Sequence, residues 1–182
     1  MNITRSFYFL SILLLWSISS SALAQQWYHV ELIVFEQLNT YTDEAWPTTS
    51  FDIDAPLSPS ISGKLIHPAK NSTLIQTAAR LQKSRDYRVL YHQSWRQPIM
   101  TKSRSRSVKI QSSDGTINGS IRFFKSTYLH AALDIQLLQG AQSPRLTESR
   151  RIRKKKLYYF DHPKLGALLQ ITPIETTVNA SE

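Results

Sequence analysis

The chain has 182 residues, 22 Lys plus Arg against 13 Asp plus Glu, a formal net charge of +9 and no cysteine. Without cysteine there are no disulfides, no thiol nucleophile and no thiolate metal site. A basic balance of this size ordinarily raises nucleic acid as a partner, and the N-terminal residues argue against that by predicting export.

Met1–Arg5 holds one cation, Phe7–Ile18 (FYFLSILLLWSI) is apolar, and Ser19–Ala24 ends in Ala22-x-Ala24, the small-residue pattern that signal peptidase accepts. The apolar run is shorter than the ~20 residues of a membrane-spanning helix. The expectation is a cleaved signal over 1–24 and a mature, periplasmic chain of one domain over 25–182. Charge within that domain is uneven. Gln25–Gly63 carries six carboxylates and no Lys or Arg, whereas Thr101–Phe160 carries 13 Lys plus Arg against Asp114, Asp134 and Glu148. The acidic polymers within reach of an exported protein are the cell wall, whose peptide stems bear free carboxylates, and anionic phospholipid surfaces. Nucleic acid is set aside.

In chain order, Trp27–Glu36 (WYHVELIVFE) reads as a strand, apolar on both faces in its second half and therefore central. Glu31 is then partly buried and expected to find a cation. The residues around 39–70 are polar and hold four of the eight prolines, which predicts an extended surface loop pinned by Trp46, Phe51 and Leu57. Asn71–Ser84 reads as a helix capped by Asn71 or Ser72, with Leu74, Ile75, Ala78 and Leu81 as its apolar stripe. Tyr87–Gln97 is a strand ended by Pro98. A short strand at Val108–Gln111, the turn Ser112-Ser113-Asp114-Gly115, and strands at Thr116–Lys125 and Tyr128–Leu138 follow. In the last of these, Leu129, Ala131, Leu133, Ile135 and Leu137 alternate with polar residues, the pattern of a half-buried antiparallel strand. Gly140–Pro144 is the next turn.

Leu146–Pro173 dominates the remainder. Six cations stand in the seven residues Arg150-Arg151-Ile152-Arg153-Lys154-Lys155-Lys156, followed by Tyr158-Tyr159-Phe160, the turn Asp161-His162-Pro163 and the apolar Leu165–Ile171. Read as one strand, the basic half has no apolar face before Leu157, so it belongs at a sheet edge or on an arm in solvent. The whole is α+β: a mainly antiparallel sheet of sequential hairpins with one main helix on one face.

Nothing in the chain has the spacing of a catalytic set. The histidines His29, His67, His92, His130 and His162 are scattered, with no paired ligand spacing and no Gly-rich phosphate loop, so neither metal nor cofactor is expected and the chain reads as a non-enzyme. Strand neighbours such as His92 and His130 are able to meet in space, but the expectation for them is ordinary surface histidines. The candidate binding residues are Trp95 and Arg96, with Arg150, Arg151, Arg153, Lys154, Lys155, Lys156, Tyr158 and Tyr159. An exposed Trp95 stacks on sugar faces and Arg96 grips carboxylates with two donors; the alternative is a core Trp95 beside a solvated Arg96. The basic run is either a site for acidic polymer or a charged edge that resists aggregation.

Several segments together resemble a known family. These are Trp27–Glu36, Tyr91-His92-Gln93-Ser94-Trp95-Arg96-Gln97-Pro98, Tyr128-Leu129-His130 with Leu133-Asp134, Glu148-Ser149-Arg150-Arg151-Ile152-Arg153, and Asp161-His162-Pro163 with Gly166. Along nearly the whole mature chain they are similar to the CsiV family, the cell-shape-integrity peptidoglycan-binding proteins of gammaproteobacterial periplasms. The resemblance implies a non-catalytic peptidoglycan-binding protein that supports a bifunctional cell-wall synthase and its outer-membrane lipoprotein activator. It supplies no site residues. The alternative is an adaptor that meets anionic membrane surfaces with its cations and its aromatic triplet.

Overall fold

The computed structural model describes residues 26–41, 65–139 and 143–175. The expected signal over 1–24, the loop anchors Trp46, Phe51 and Leu57, and the start of the turn at Gly140 lie outside them. In chain order the elements are β1 (Trp27–Gln37), β2 (His67–Pro68), α1 (Ile75–Lys83), β3 (Tyr87–Pro98), β4 (Ser107–Gln111), β5 (Ile117–Lys125), β6 (Leu129–Leu137), β7 (Arg145–Arg151), β8 (Leu157–Asp161) and β9 (Leu165–Pro173). The expectation of an α+β protein, mainly antiparallel with one helix, holds. The strands divide into two sheets, a five-stranded one in the order β2-β3-β1-β9-β8 and a four-stranded one in the order β4-β5-β6-β7.

The alternation of side chains sets how these layers stack. Val30, Leu32 and Val34 of β1, Trp95 of β3, Phe160 of β8 and Leu169 of β9 meet Ile110, Ile121, Leu133 and Ile135 of the smaller sheet in one core. The opposite face of β1 presents Ile33 and Phe35 to Leu74, Ala78 and Leu81 at the helix. Strand β1 is therefore covered on both sides, with Val30 through Glu36 all buried. Its double apolar pattern predicted this central place. Trp95 is completely buried and its indole N–H donates to Gln97 Oε1 at 2.7 Å. Its ring belongs to the core and offers no face to a sugar.

The turn before β5 matches the sequence expectation. Gly115 takes φ +74°, which a residue with a Cβ adopts at a cost, and the Ser112 hydroxyl bonds Asp114 Oδ1.

Helix α1 departs from expectation in a way that involves Glu31. It starts at Ile75, later than the Asn71 or Ser72 cap would place it, and its own flanking residue gives no side-chain cap. Ile75 is 58% exposed and so leaves the apolar stripe. The cap comes from the sheet. The fully buried Glu31 carboxylate accepts the backbone N–H of Thr73 (2.7 Å) and Leu74 (3.1 Å) and the hydroxyls of Ser72 and Thr73. His92 Nε2 stands 2.7 Å from its Oε1. An anion at a helix N-terminus is favoured by the exposed N–H groups and the dipole. In place of the expected cation stand a histidine nitrogen and the end of a helix. Burial opposes the charge, but the bonds from Ser72, His92 and Thr73 outweigh it and hold the carboxyl at about 2, below its usual 4.5.

Two outcomes follow. A carboxylate with a depressed pKa stabilises the fold fully above the unfolded value and loses that contribution as pH falls towards the folded one. Glu31→Gln should therefore cost about 3 kcal/mol at neutral pH, and the difference from the unaltered chain should shrink between pH 4.5 and 2 in urea melts. Trp95→Ala should lower stability by about 3–5 kcal/mol, read as a fall in the melting temperature, as expected of a core side chain.

Candidate binding surface at the basic end of the sandwich

The basic run is not one strand. Strand β7 stops at Arg151, the chain crosses between the sheets, and β8 begins at Leu157. Ile152 drives the crossing: it is buried at 2% exposure, and its N–H bonds Leu129 O at 2.9 Å, extending the β6–β7 ladder by one residue. Lys155 turns the chain at φ +59°, and its N–H bonds Ile171 O at 2.7 Å. The expectation that these cations lie at a sheet edge holds, since β7 and β8 each border their sheet.

The cations divide by their contacts. Arg150 points between the sheets, ion-pairs with Glu148 and lies over the Phe160 ring at 4.4 Å. It is a structural brace. Arg151 points outward with its guanidinium 3.3 Å from the Tyr128 ring centre, and Lys154 reaches over Tyr28 at 5.6 Å. Arg153, Lys154, Lys155 and Lys156 are all exposed. Tyr158 is half-buried and its hydroxyl accepts from the Arg153 N–H at 2.6 Å, which ties the crossing down. Tyr159 is 43% exposed, stacked on Phe35 at 6.2 Å, and its hydroxyl donates to Asp161 Oδ1. Phe35 lies there because Gly166 has no side chain; a Cβ on Gly166 would come within 2.3 Å of the ring. Phe160 is fully buried, so the aromatic triplet does not present three rings to a membrane surface.

Trp95 and Arg96 do not join this group. Trp95 is inside the core, and Arg96 is on the outer face of β3, paired in register with His29 and His67. Strands β1 and β9 separate β3 from β8, about 14 Å at ~4.8 Å per strand.

A second basic segment reaches the same end. The chain crosses between the sheets twice there, once through 152–156 and once through 99–106, between β3 and β4. The first connection exposes Lys102, Arg104 and Arg106. It is held by Lys125 N–H to Met100 O at 2.8 Å and by the Arg122 guanidinium, which donates to Ser105 Oγ (2.7 Å) and Lys102 O (2.6 Å). The segment KSRSRS was legible as cations at alternate positions with no apolar partner, but only the topology puts it beside the later run. A row of side chains across the smaller sheet links the two. Lys102 lies over Phe124 at 5.6 Å, Phe124 stacks on His130 at 5.0 Å and 6°, and His130 is the register partner of Arg151. His130 is thus far from His92, which faces outward from the other sheet; the two do not meet.

Chemically, this surface is a cation-rich rim with two aromatic rings, suited to carboxylates through exposed, salt-sensitive contacts. The one Ser–His–carboxylate cluster described, Ser72, His92 and Glu31, is not arranged for nucleophile activation. Both Glu31 Oε1 (2.7 Å) and Ser72 Oγ (3.4 Å) approach the same nitrogen, His92 Nε2. A catalytic histidine holds its carboxylate on one ring nitrogen and its nucleophile on the other. Among the described residues no three of His, Asp or Glu come together to hold a metal.

No curated protein and no solved structure matches the chain. A family model described as "Peptidoglycan-binding protein, CsiV" matches residues 7–174. That span includes both sheets, the helix and both basic crossings, and the chain belongs to the CsiV family of peptidoglycan-binding proteins.

Proposed function

We propose that this protein is a non-catalytic, periplasmic peptidoglycan binder that supports cell-wall synthesis and cell shape by assisting a bifunctional synthase and its outer-membrane lipoprotein activator. The observation that carries the reading is the convergence of Lys102, Arg104 and Arg106 with Arg153, Lys154, Lys155 and Lys156 on one end of the sandwich. Carboxylates of wall peptide stems are the acidic groups that such a rim meets in that compartment. Each exposed cation contributes about 1 kcal/mol or less, so binding rests on their number and weakens with salt. The geometry of Ser72, His92 and Glu31 supports a binding rather than a catalytic role. The adaptor reading, in which cations and Tyr158-Tyr159-Phe160 meet phospholipid, is weakened by the burial of Phe160.

Co-sedimentation of the chain from Gln25 onward with intact sacculi across a salt series, alongside anionic liposomes, tests this. Pelleting with sacculi at physiological salt is expected. Lys102→Glu with Lys156→Glu should lower the affinity about tenfold or more without changing the melting temperature. Pelleting with liposomes alone would instead establish the membrane adaptor. Lys155→Gly removes a charge where the backbone already has positive φ, so it should weaken wall binding slightly while the fold stays as stable or gains, whereas Lys155→Val should cost about 1–2 kcal/mol.

A further inference from the structure

The outer face of the smaller sheet carries a second feature, set beside the basic rim. Register places side chains there in rungs. Phe124, His130 and Arg151 form one; Ser107, Arg122, Ala132 and Ser149 form the next; Lys109, Ser120, Asp134 and Thr147 form the third. The middle rung holds three of the smallest side chains available. The surface therefore sinks along it between taller neighbours, leaving an open trough of about 320 Å³, at the lower end of the ~300–1,000 Å³ of small-molecule clefts.

The polar side chains of the lining are fixed in place. Arg145 clamps both oxygens of Asp134 at 2.7 Å each, and Thr147 Oγ1 donates to Asp134 Oδ1 at 3.1 Å. Arg122 is anchored by Ser105 and the Lys102 carbonyl. Ser107 and Ser149 add their hydroxyls to the lining from the two edge strands. Such a site sets hydroxyls and a paired carboxylate beside apolar carbon, a mix that suits the hydroxyls and C–H faces of a neutral sugar. At one end the register sets the stacked Phe124–His130 pair next to the trough, which adds apolar ring surface beside it. Lys102, over Phe124, and Arg151, the register partner of His130, stand at the same end. A polymer of uncharged amino sugars with acidic side groups matches this sequence of surfaces: sugars in the trough, carboxylates on the rim.

We propose that the trough is a glycan subsite that holds the N-acetylated amino-sugar backbone of the wall while the basic end holds its carboxylates. The proposal rests on the peptidoglycan-binding reading and adds to it a second, charge-independent contact. The experiment is a backbone-amide NMR titration of the chain from Gln25 onward with an uncharged N-acetylglucosamine tetrasaccharide, run beside sacculus pelleting. Saturable shifts are expected at Arg122, Ala132 and Ser149. Ala132→Trp and, independently, Ser149→Trp fill the trough from exposed or half-exposed positions, and should abolish the shifts and the pelleting that survives high salt. Lys102→Glu with Lys156→Glu should leave the shifts in place.

If the unaltered chain pellets with sacculi but the tetrasaccharide moves none of these amides, or if folded trough-filled variants titrate like it, the subsite is overturned and wall binding stands. Tetrasaccharide shifts without pelleting would support the subsite and overturn the wall reading. Neither signal overturns both.

Discussion

The carboxylate of Glu31 is the contact on which the arrangement depends. It sits on the central strand with no exposure to solvent, between a sheet and the start of a helix. A nine-residue helix is too short to be stable alone, and α1 has no fully buried residue of its own to hold it. What fixes its position is a small apolar contact through Leu74 together with the bonds that Glu31 draws from Ser72, Thr73 and Leu74. The same carboxylate holds His92 of the neighbouring strand. A charge in that place would be expensive unpaired; here every approach to it is made by a donor, so one side chain docks the helix, fills its orphan N–H groups and locks two strands.

The sheet that carries Glu31 has an order that hairpins alone cannot make. Strand β1 lies between β3 and β9, pairing the first described strand with the last. The smaller sheet is a simple meander inserted between them. Entering and leaving that meander requires two crossings between sheets. Polar backbone at a crossing has to stay near water or find partners, and cations there cost little. Both crossings fall at one end because β4 starts and β7 finishes there, so two basic segments about 50 residues apart in sequence become one surface.

The rim also shows how few of its cations are free to bind. Arg150 is held by Glu148 and Phe160, and Arg122 by the loop it supports. Arg151 lies on Tyr128 while remaining exposed. The other rim cations face solvent from the two crossings, and in the later one Ile152 and the Tyr158 hydroxyl anchor the chain. Anchoring of this sort lowers the entropy lost when a polymer is gripped.

Local patterns determined much of this protein. The double apolar face of Trp27–Glu36 placed β1 at the centre, the alternation of Leu129–Leu137 assigned the inner and outer faces of β6, and the basic run announced a surface edge. Each of these follows from side-chain alternation and the cost of burying charge, which act within a single element. The division into two sheets, the depth of Trp95, the capping of α1 by Glu31 and the meeting of Lys102, Phe124, His130 and Arg151 were decided only by tertiary structure. Alternation tells which residues share a face but not which strand lies opposite, so a contact between residues far apart in sequence has no local signature. Ile152 makes the point at one residue: among six basic neighbours it looked like part of a solvated strand, and it is buried because the chain has to turn there from one sheet to the other.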